Sequence, residues 1–160
     1  MLSRLQREFR EYLRVLGDDQ PGMLLEEHQW RGLLSRGPHR GGLIAEHEGS
    51  AVGYLLYHEG CDLDRGGPTV YVFDLFVSRG WRRHGVGRAL MVEAARLCEA
   101  NGGTEVIFDV WKRNEAAMKF YLRLGALPVQ ELQYMHLPTA RLTSGARATG
   151  DAPPRPESGG

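Results

Sequence analysis

Thr69 to Met91 reads TVYVFDLFVSRGWRRHGVGRALM, and the order of its parts decides the fold. Thr69 to Ser78 is rich in β-branched and aromatic residues, which suit a pleated strand. It is apolar on both faces apart from Asp74, so it predicts a central strand covered on each side. Arg79 to Arg88 is basic and carries Gly85 and Gly87, after which apolar residues return at helical spacing. A strand, a basic loop with glycines and then a helix together suit a small anion. The first-turn N–H groups, Arg83 to Arg88, have no intrahelical partners and point outward. The same loop also reads as a glycine-eased helix start beside solvated arginines, and alone it does not choose between the two.

Working outward, the chain has 160 residues, 42% of them hydrophobic, and a formal net charge of zero. That length suits one globular domain able to bury on the order of two-thirds of its unfolded surface. Zero net charge argues against a nucleic-acid coat and makes the arginines of the loop a local patch. The start, MLSRLQREFREYL, lacks the apolar core of a secretion signal, and no stretch approaches the roughly 18 apolar residues of a membrane span. With two cysteines, Cys61 and Cys98, a disulfide framework is not expected, and a cytoplasmic location is the default. The six histidines show no ligand spacing, so no metal is expected.

Before the central strand, Leu2, Leu5, Phe9, Leu13 and Leu16 recur at helical spacing, with Gly17 as a stop. A second helix is expected over Leu24 to Leu34. GLIAEHEGSAVGYLLYHEG reads as a β-hairpin turning at Glu48-Gly49-Ser50. CDLDRGGP reads as a polar loop, whose Asp62 and Asp64 are a solvated surface or an attraction for a cationic ligand. After the glycine loop, Val86, Leu90, Met91, Ala94, Leu97 and Cys98 form the inward stripe of a helix that ends at Asn101-Gly102-Gly103. TEVIFDVW predicts a strand, NEAAMKFYLRLG a helix, and LPVQELQYMHL one or two last strands. The fold class is therefore α/β, with a mixed sheet. The domain is expected over 1–137, with a disordered tail over 138–160.

Three phosphate-binding patterns compete for the loop. The pattern GxxxxGK followed by Ser or Thr fails, because no lysine and hydroxyl follow Gly85 or Gly87. The dinucleotide pattern GxGxxG meets Leu90 at its third glycine. R-x-x-G-x-G is met in full by Arg82, Gly85 and Gly87.

Three segments in order, VFDLFV, RRHGVGRAL and WKRNEAAMKFYLRLGA, cover Val70 to Ala126 together with the residues between them. On these the chain resembles the GNAT superfamily of acetyl-coenzyme A-dependent N-acetyltransferases. Within it, the spermidine/spermine (diamine) and thialysine acetyltransferase branch is the most similar in motif pattern. The resemblance implies a single-domain GNAT-like fold, a central mixed, mostly antiparallel sheet flanked by helices. The family usually starts with a strand before its first helix, and this chain begins on that helix; the expectation is that the strand is lost or that the true start lies upstream of Met1.

By the same resemblance acetyl-CoA is the cofactor. Leu75, Phe76 and Val77 would offer strand backbone to its pantetheine arm, and Arg82, Arg83, His84, Gly85, Val86, Gly87 and Arg88 would hold its pyrophosphate. Asn114 and Ala117 would contact the cofactor too, and Tyr121 would bind it and protonate the departing thiolate. Independently of the family, Asn114, Ala117/Met118 and Tyr121 share one helix face. A phenol with a pKa of about 10 suits a general acid for a thiolate. Tyr121 also reads as a half-buried aromatic beside Phe120.

The general base is the departure. The resembled branch has a glutamate followed by an aspartate in the strand, where this chain has Phe73 and Asp74. Strand alternation is expected to send the two to opposite faces. Burial of Asp74 would raise its pKa toward a useful value, making it the catalytic base or else a buried carboxylate bonded to backbone. Glu59, His58 and a water chain are alternatives. Phe73 and Trp111 are candidates for binding the substrate, and Trp111 also reads as core. Cys98, on the apolar stripe, reads as a buried thiol, so direct transfer in a ternary complex is expected. The acceptor implied is a primary amine on a small molecule such as a polyamine or amino acid. A protein lysine or N-terminus, or a non-catalytic acyl-CoA sensor, are the alternatives. A homodimer is expected, with no nucleic-acid or membrane partner.

Overall fold

The computed structural model describes residues 2–19, 24–35, 40–64, 66–129, 135 and 139. The chain divides into two units, Met1–Ala126 and Leu127–Gly160, and every element below belongs to the first. The element order is α1 (Leu2–Val15), α2 (Glu27–Ser35), β1 (Arg40–His47), β2 (Ser50–Asp62) and β3 (Gly67–Val77). A single 3-10 turn (Arg79–Trp81), α3 (Val86–Ala100), β4 (Glu105–Phe108) and α4 (Glu115–Arg123) follow. Among the described residues no helix is long and apolar enough to cross a membrane.

The four strands lie in the order β1-β2-β3-β4, the first three antiparallel and β4 parallel to β3. A parallel neighbour requires a crossover, and α3 supplies it. The hairpin between β1 and β2 turns on Glu48 and Gly49, both with positive φ (46° and 75°), as a two-residue primed turn demands.

Alternation along the strands fills two cores. Tyr54, Leu56 and Phe76 meet Leu2, Leu5 and Trp30 beneath α1 and α2. Leu55, Val70 and Val72 meet Leu90, Ala94 and Cys98 beneath α3. Leu5, Leu55 and Val70 are fully buried, and each such side chain contributes about 1.5–3 kcal/mol. The central strand is thus covered on both faces, as its composition predicts, except at Phe73, which is 41% exposed.

Several boundaries differ from the sequence reading: the loop expected over CDLDRGGP is shorter, because β2 runs on to Asp62 and β3 starts at Gly67. α2 starts at Glu27 rather than Leu24, because the Leu25 N–H donates to Gln6 Oε1 and the Glu26 N–H to Gln29 Oε1, the side-chain half of a capping box. β4 stops at Phe108, and the chain beyond it turns, with the Asn114 N–H donating to the Trp111 carbonyl at 2.7 Å. The expected last strands fall mainly on residues outside those described, as does nearly all of the tail; the described residues 127–129 are not strand.

Candidate active site

Between Leu56 and Tyr57 of β2 the register with β3 shifts. Leu56 pairs with Asp74 and Tyr57 with Val72, so Phe73 is an extra residue, a β-bulge. The bulge overturns the expectation that Phe73 and Asp74 face apart. The Phe73 ring lies 6.4 Å from His58, and Asp74 Oδ2 accepts from the Tyr54 hydroxyl at 3.1 Å. Tyr54 and His58, four residues apart on β2, share one face, so Phe73 and Asp74 do too. That is the face on which Tyr54 and Phe76 pack beneath α1.

At the bulge the sheet also opens. β3 pairs with β2 along its whole length but with β4 only over Thr69 to Val72. From Phe73 onward its second edge has no strand beside it among the described residues. The Ser78 N–H bonds back to the Val52 carbonyl at 2.9 Å. Alternation therefore turns the N–H and C=O groups of Leu75 and Val77 toward the open edge. Phe76, in contrast, directs its backbone to β2, and its side chain joins the core.

The loop after β3 ends in two residues of positive φ, Arg83 at 67° and Gly85 at 81°. The second is costless for glycine; the first is strained for arginine. The Ala89 N–H bonds to the Gly85 carbonyl at 2.9 Å, which leaves the amides of Val86, Gly87 and Arg88 ahead of it without an intrahelical acceptor. A side chain at Gly87 would stand 3.3 Å from the Phe120 ring, so this glycine also lets α3 approach α4. Arg83, His84 and Arg88 are exposed, and His84 Nδ1 lies 2.9 Å from the Arg82 carbonyl. Arg82 turns inward instead. Its Nε donates to the Val77 carbonyl at 3.0 Å, and its guanidinium lies 4.4 Å over the Tyr12 ring.

Asn114 caps α4. Its Oδ1 accepts from the Ala117 N–H at 3.1 Å and from the Tyr12 hydroxyl at 2.7 Å. Both bonds fall on Oδ1, and neither uses Nδ2. Tyr121, two turns on, is buried against Phe108 and Phe120 at centroid distances of 4.2 and 5.0 Å. Burial, helped by the charges of Asp74 and Asp109, pushes its phenol up to about 12. It stays protonated at neutral pH and holds its proton more tightly than a free tyrosine.

Asp74 is shifted the same way for the same first reason. Burial raises its carboxyl to about 6, against the opposing pull of the Tyr54 hydrogen bond and Arg10, while Asp109 adds to the rise. Tyr54 is itself held far above its ordinary value, by burial and then by Asp74, so it donates to the carboxylate throughout the physiological range. At pH 7 Asp74 is a carboxylate with a higher proton affinity than usual. Its charge also adds to the rise at Tyr121.

Of the other candidates, Trp111 is 39% exposed, which removes the core reading, and Arg113 lies 5.7 Å over its ring. Cys98 is buried and donates to the Glu105 carbonyl at 3.2 Å, as expected of a structural thiol. Asp62 accepts from the Asp64 N–H in a surface turn. Three residues were missed by sequence reasoning: Tyr54, Tyr12 and Asp109, whose carboxylate accepts from the Tyr71 hydroxyl. The only sequence signal for Tyr12 is its place three residues after Phe9 on the inward stripe of α1.

A strand that parts from its neighbour beside a helix start with free amides is the geometry that the acetyltransferase motifs imply. The family model described as acetyltransferase (GNAT) family matches residues 2–126. The chain belongs to the acetyltransferase (GNAT) family. Its members use acetyl-CoA. The chain is similar to mycothiol acetyltransferase of Sanguibacter keddieii, 36% identical over 96 residues, which cover 59% of the chain but 30% of that longer protein. Among solved structures, a tetramutant protein of Bacillus halodurans matches with a TM-score of 0.69 at 23% identity, over 85% of this chain and 90% of that one. An aminoglycoside N-acetyltransferase in complex with CoA matches with a TM-score of 0.60 at 22% identity, over 70% and 92%. These structures bear on the fold, which is the GNAT-like α/β fold expected.

The residues fit acetyl-CoA on the geometry of this chain. The open edge offers the Leu75 and Val77 amides to a pantetheine arm, and the start of α3 offers amides and exposed cations to a pyrophosphate. Arg82 fits least: its side chain is already engaged with Val77 and Tyr12.

Proposed function

We propose that this chain is an N-acetyltransferase that moves the acetyl group of acetyl-CoA to a primary amine of a small molecule in a ternary complex. The observation that carries the reading is the open edge of β3, bordered at one end by Asp74 and at the other by the free amides of α3. Acetyl-CoA, when bound, supplies an acetyl group already activated as a thioester. Asp74 takes the proton that an ammonium must lose before its nitrogen can attack. Raising its pKa to about 6 narrows the gap to an alkylammonium near 10 by about two units. An amide N–H of Leu75 or Val77 stabilises charge developing on the carbonyl oxygen, a role typically worth about 3 kcal/mol. Tyr121 donates its hydrogen bond to the departing sulfur; with its pKa at about 12, that bond matters more than complete proton transfer.

A small-molecule acceptor is supported by relatives whose names describe mycothiol and aminoglycoside acetylation. The diamine and thialysine branch is the finer part of the reading. Phe73, in place of that branch's glutamate, favours an acceptor with an apolar body over one with several charges. On this reading 1–137 is the catalytic unit and a cytoplasmic homodimer is the assembly; light scattering tests the dimer.

The decisive experiment is thiol release from acetyl-CoA against a panel of amines, in wild type and Tyr121→Phe. Turnover on one amine that falls about 100-fold in the variant, with CoA binding retained, is the expected result. Tight binding of acetyl-CoA without turnover on any amine or peptide would make the chain an acyl-CoA sensor.

A further inference from the structure

The cofactor cleft opens between β3 and the segment that leads from β4 into α4. What keeps its two walls at a fixed separation is a side chain from neither. Tyr12, near the end of α1, reaches both. Its hydroxyl donates to Asn114 Oδ1 at 2.7 Å on the α4 side. Its ring lies beneath the Arg82 guanidinium at 4.4 Å on the β3 side. Arg82 is tied in turn to β3 itself, through Nε to the Val77 carbonyl at 3.0 Å and over the Phe76 ring at 5.6 Å. The chain of contacts therefore runs Val77, Arg82, Tyr12, Asn114, Ala117, and it crosses the gap that β4 leaves unfilled.

We propose that Tyr12 is a positioning residue of the cofactor cleft: it struts the two walls apart and fixes Asn114 so that Nδ2 faces the cofactor. The inference rests on the functional reading above. Two features argue that the strut serves the cleft rather than the fold. First, Asn114 Oδ1 already accepts the Ala117 N–H, so the cap does not need a second donor. A tyrosine hydroxyl on the same oxygen instead determines how the amide is turned. Second, Arg82 could have projected into solvent with Arg83 and Arg88. It is held flat on Tyr12 instead, with Nε on the Val77 carbonyl, so that it joins Tyr12 to the end of the open edge.

Tyr12→Phe keeps the ring and its contact with Arg82 and removes only the bond to Asn114. The expected result, by calorimetry with CoA, is a dissociation constant raised about 5- to 10-fold, as for one lost buried hydrogen bond. KM for acetyl-CoA should rise in step, while kcat stays within about threefold and Tm within about 3 °C. Arg82→Gln should weaken CoA in the same direction, and the double variant should lose less than the product of the two, because the residues share one strut. Leu5→Ala, a pure packing change, should lower Tm and leave CoA affinity alone. If Tyr12→Phe binds CoA within twofold of wild type, the strut is overturned while the acetyltransferase reading stands. If Leu5→Ala weakens CoA as much as Tyr12→Phe does, the effect is general packing and the strut is likewise overturned. A wild-type protein that binds no CoA overturns both.

Discussion

Toward β2, β3 pairs from Gly67 to Val77 with one bulge; toward β4, it pairs only from Thr69 to Val72. The same residues thus meet two environments. On the first side the ladder runs the length of the strand and is interrupted only at the bulge. On the second, the Leu75 groups and the Val77 N–H are aimed at a space that a ligand can fill, while Arg82 takes the Val77 carbonyl. Buried backbone groups without partners are costly, so a strand left open in this way is tolerated where solvent or a ligand takes the missing bonds. Function here is located less by which residues are present than by which edge of the strand they serve.

The sharpest way to break the comparison is proline, which deletes one N–H at a time. Phe76→Pro removes a bond to β2 and a buried ring, and should cost about 3 kcal/mol or more, read as loss of the cooperative thermal transition. Val77→Pro deletes an N–H on the open edge. It should leave a folded protein with a recognisable transition and at least 10-fold weaker CoA binding. If the two variants unfold alike, the edges are not different in kind.

Next in size is Asp74→Asn, which separates the chemistry of the bulge from its architecture. kcat should fall about 10²- to 10⁴-fold, because no carboxylate remains to take the proton. In wild type, kcat/KM should rise with pH along a limb near 6, and the variant should lack that limb. Stability should move the other way. The folded pKa, about 6, lies above the ordinary 3.8, so the native state prefers the protonated form and ionised Asp74 is a cost above pH 6. That cost, on the order of 2–3 kcal/mol at pH 8, is relieved as pH falls from about 6 to 3.8. Asp74→Asn should therefore raise Tm at pH 8 and match wild type near pH 4, as thermal melts across that range will reveal.

A smaller effect belongs to the loop. Arg83 sits at φ 67°, so Arg83→Gly should relieve about 1 kcal/mol of backbone strain while weakening CoA several-fold. The wild-type KM for acetyl-CoA should rise with salt, and the variant's should rise less. Smallest of all, Gly87→Ala must displace the Phe120 ring by a few tenths of an ångström, with a KM change of about twofold to fivefold.

Composition and periodicity make β3, α3 and α4 legible, because each carries its apolar residues at the spacing of its own structure. The glycine loop is legible too: Gly85 adopts the positive φ that glycine permits, and the first-turn amides follow from helix geometry. The bulge is not. It arises from the register between Leu56 and Tyr57 of another strand, and a strand's own sequence carries no mark of its partner's register. The inward turn of Arg82 and the role of Tyr12 were hidden for a related reason. Tyr12 and Asn114 are 102 residues apart in the chain, and no local pattern relates them. Local rules place the elements; what they do to one another across the cleft is set by tertiary contact.

The ladder between β3 and β4 consists of four residue pairs, Thr69 with Glu105 through Val72 with Phe108. It is the shortest seam in the sheet, and everything beyond it is the cleft. So short a ladder has few backbone bonds to hold its last rung, Val72 with Phe108, which should open more readily than the long β2–β3 seam. Amide hydrogen exchange should accordingly be faster at Ile107 and Phe108 than along β2, and a ligand lying along the open edge should slow it.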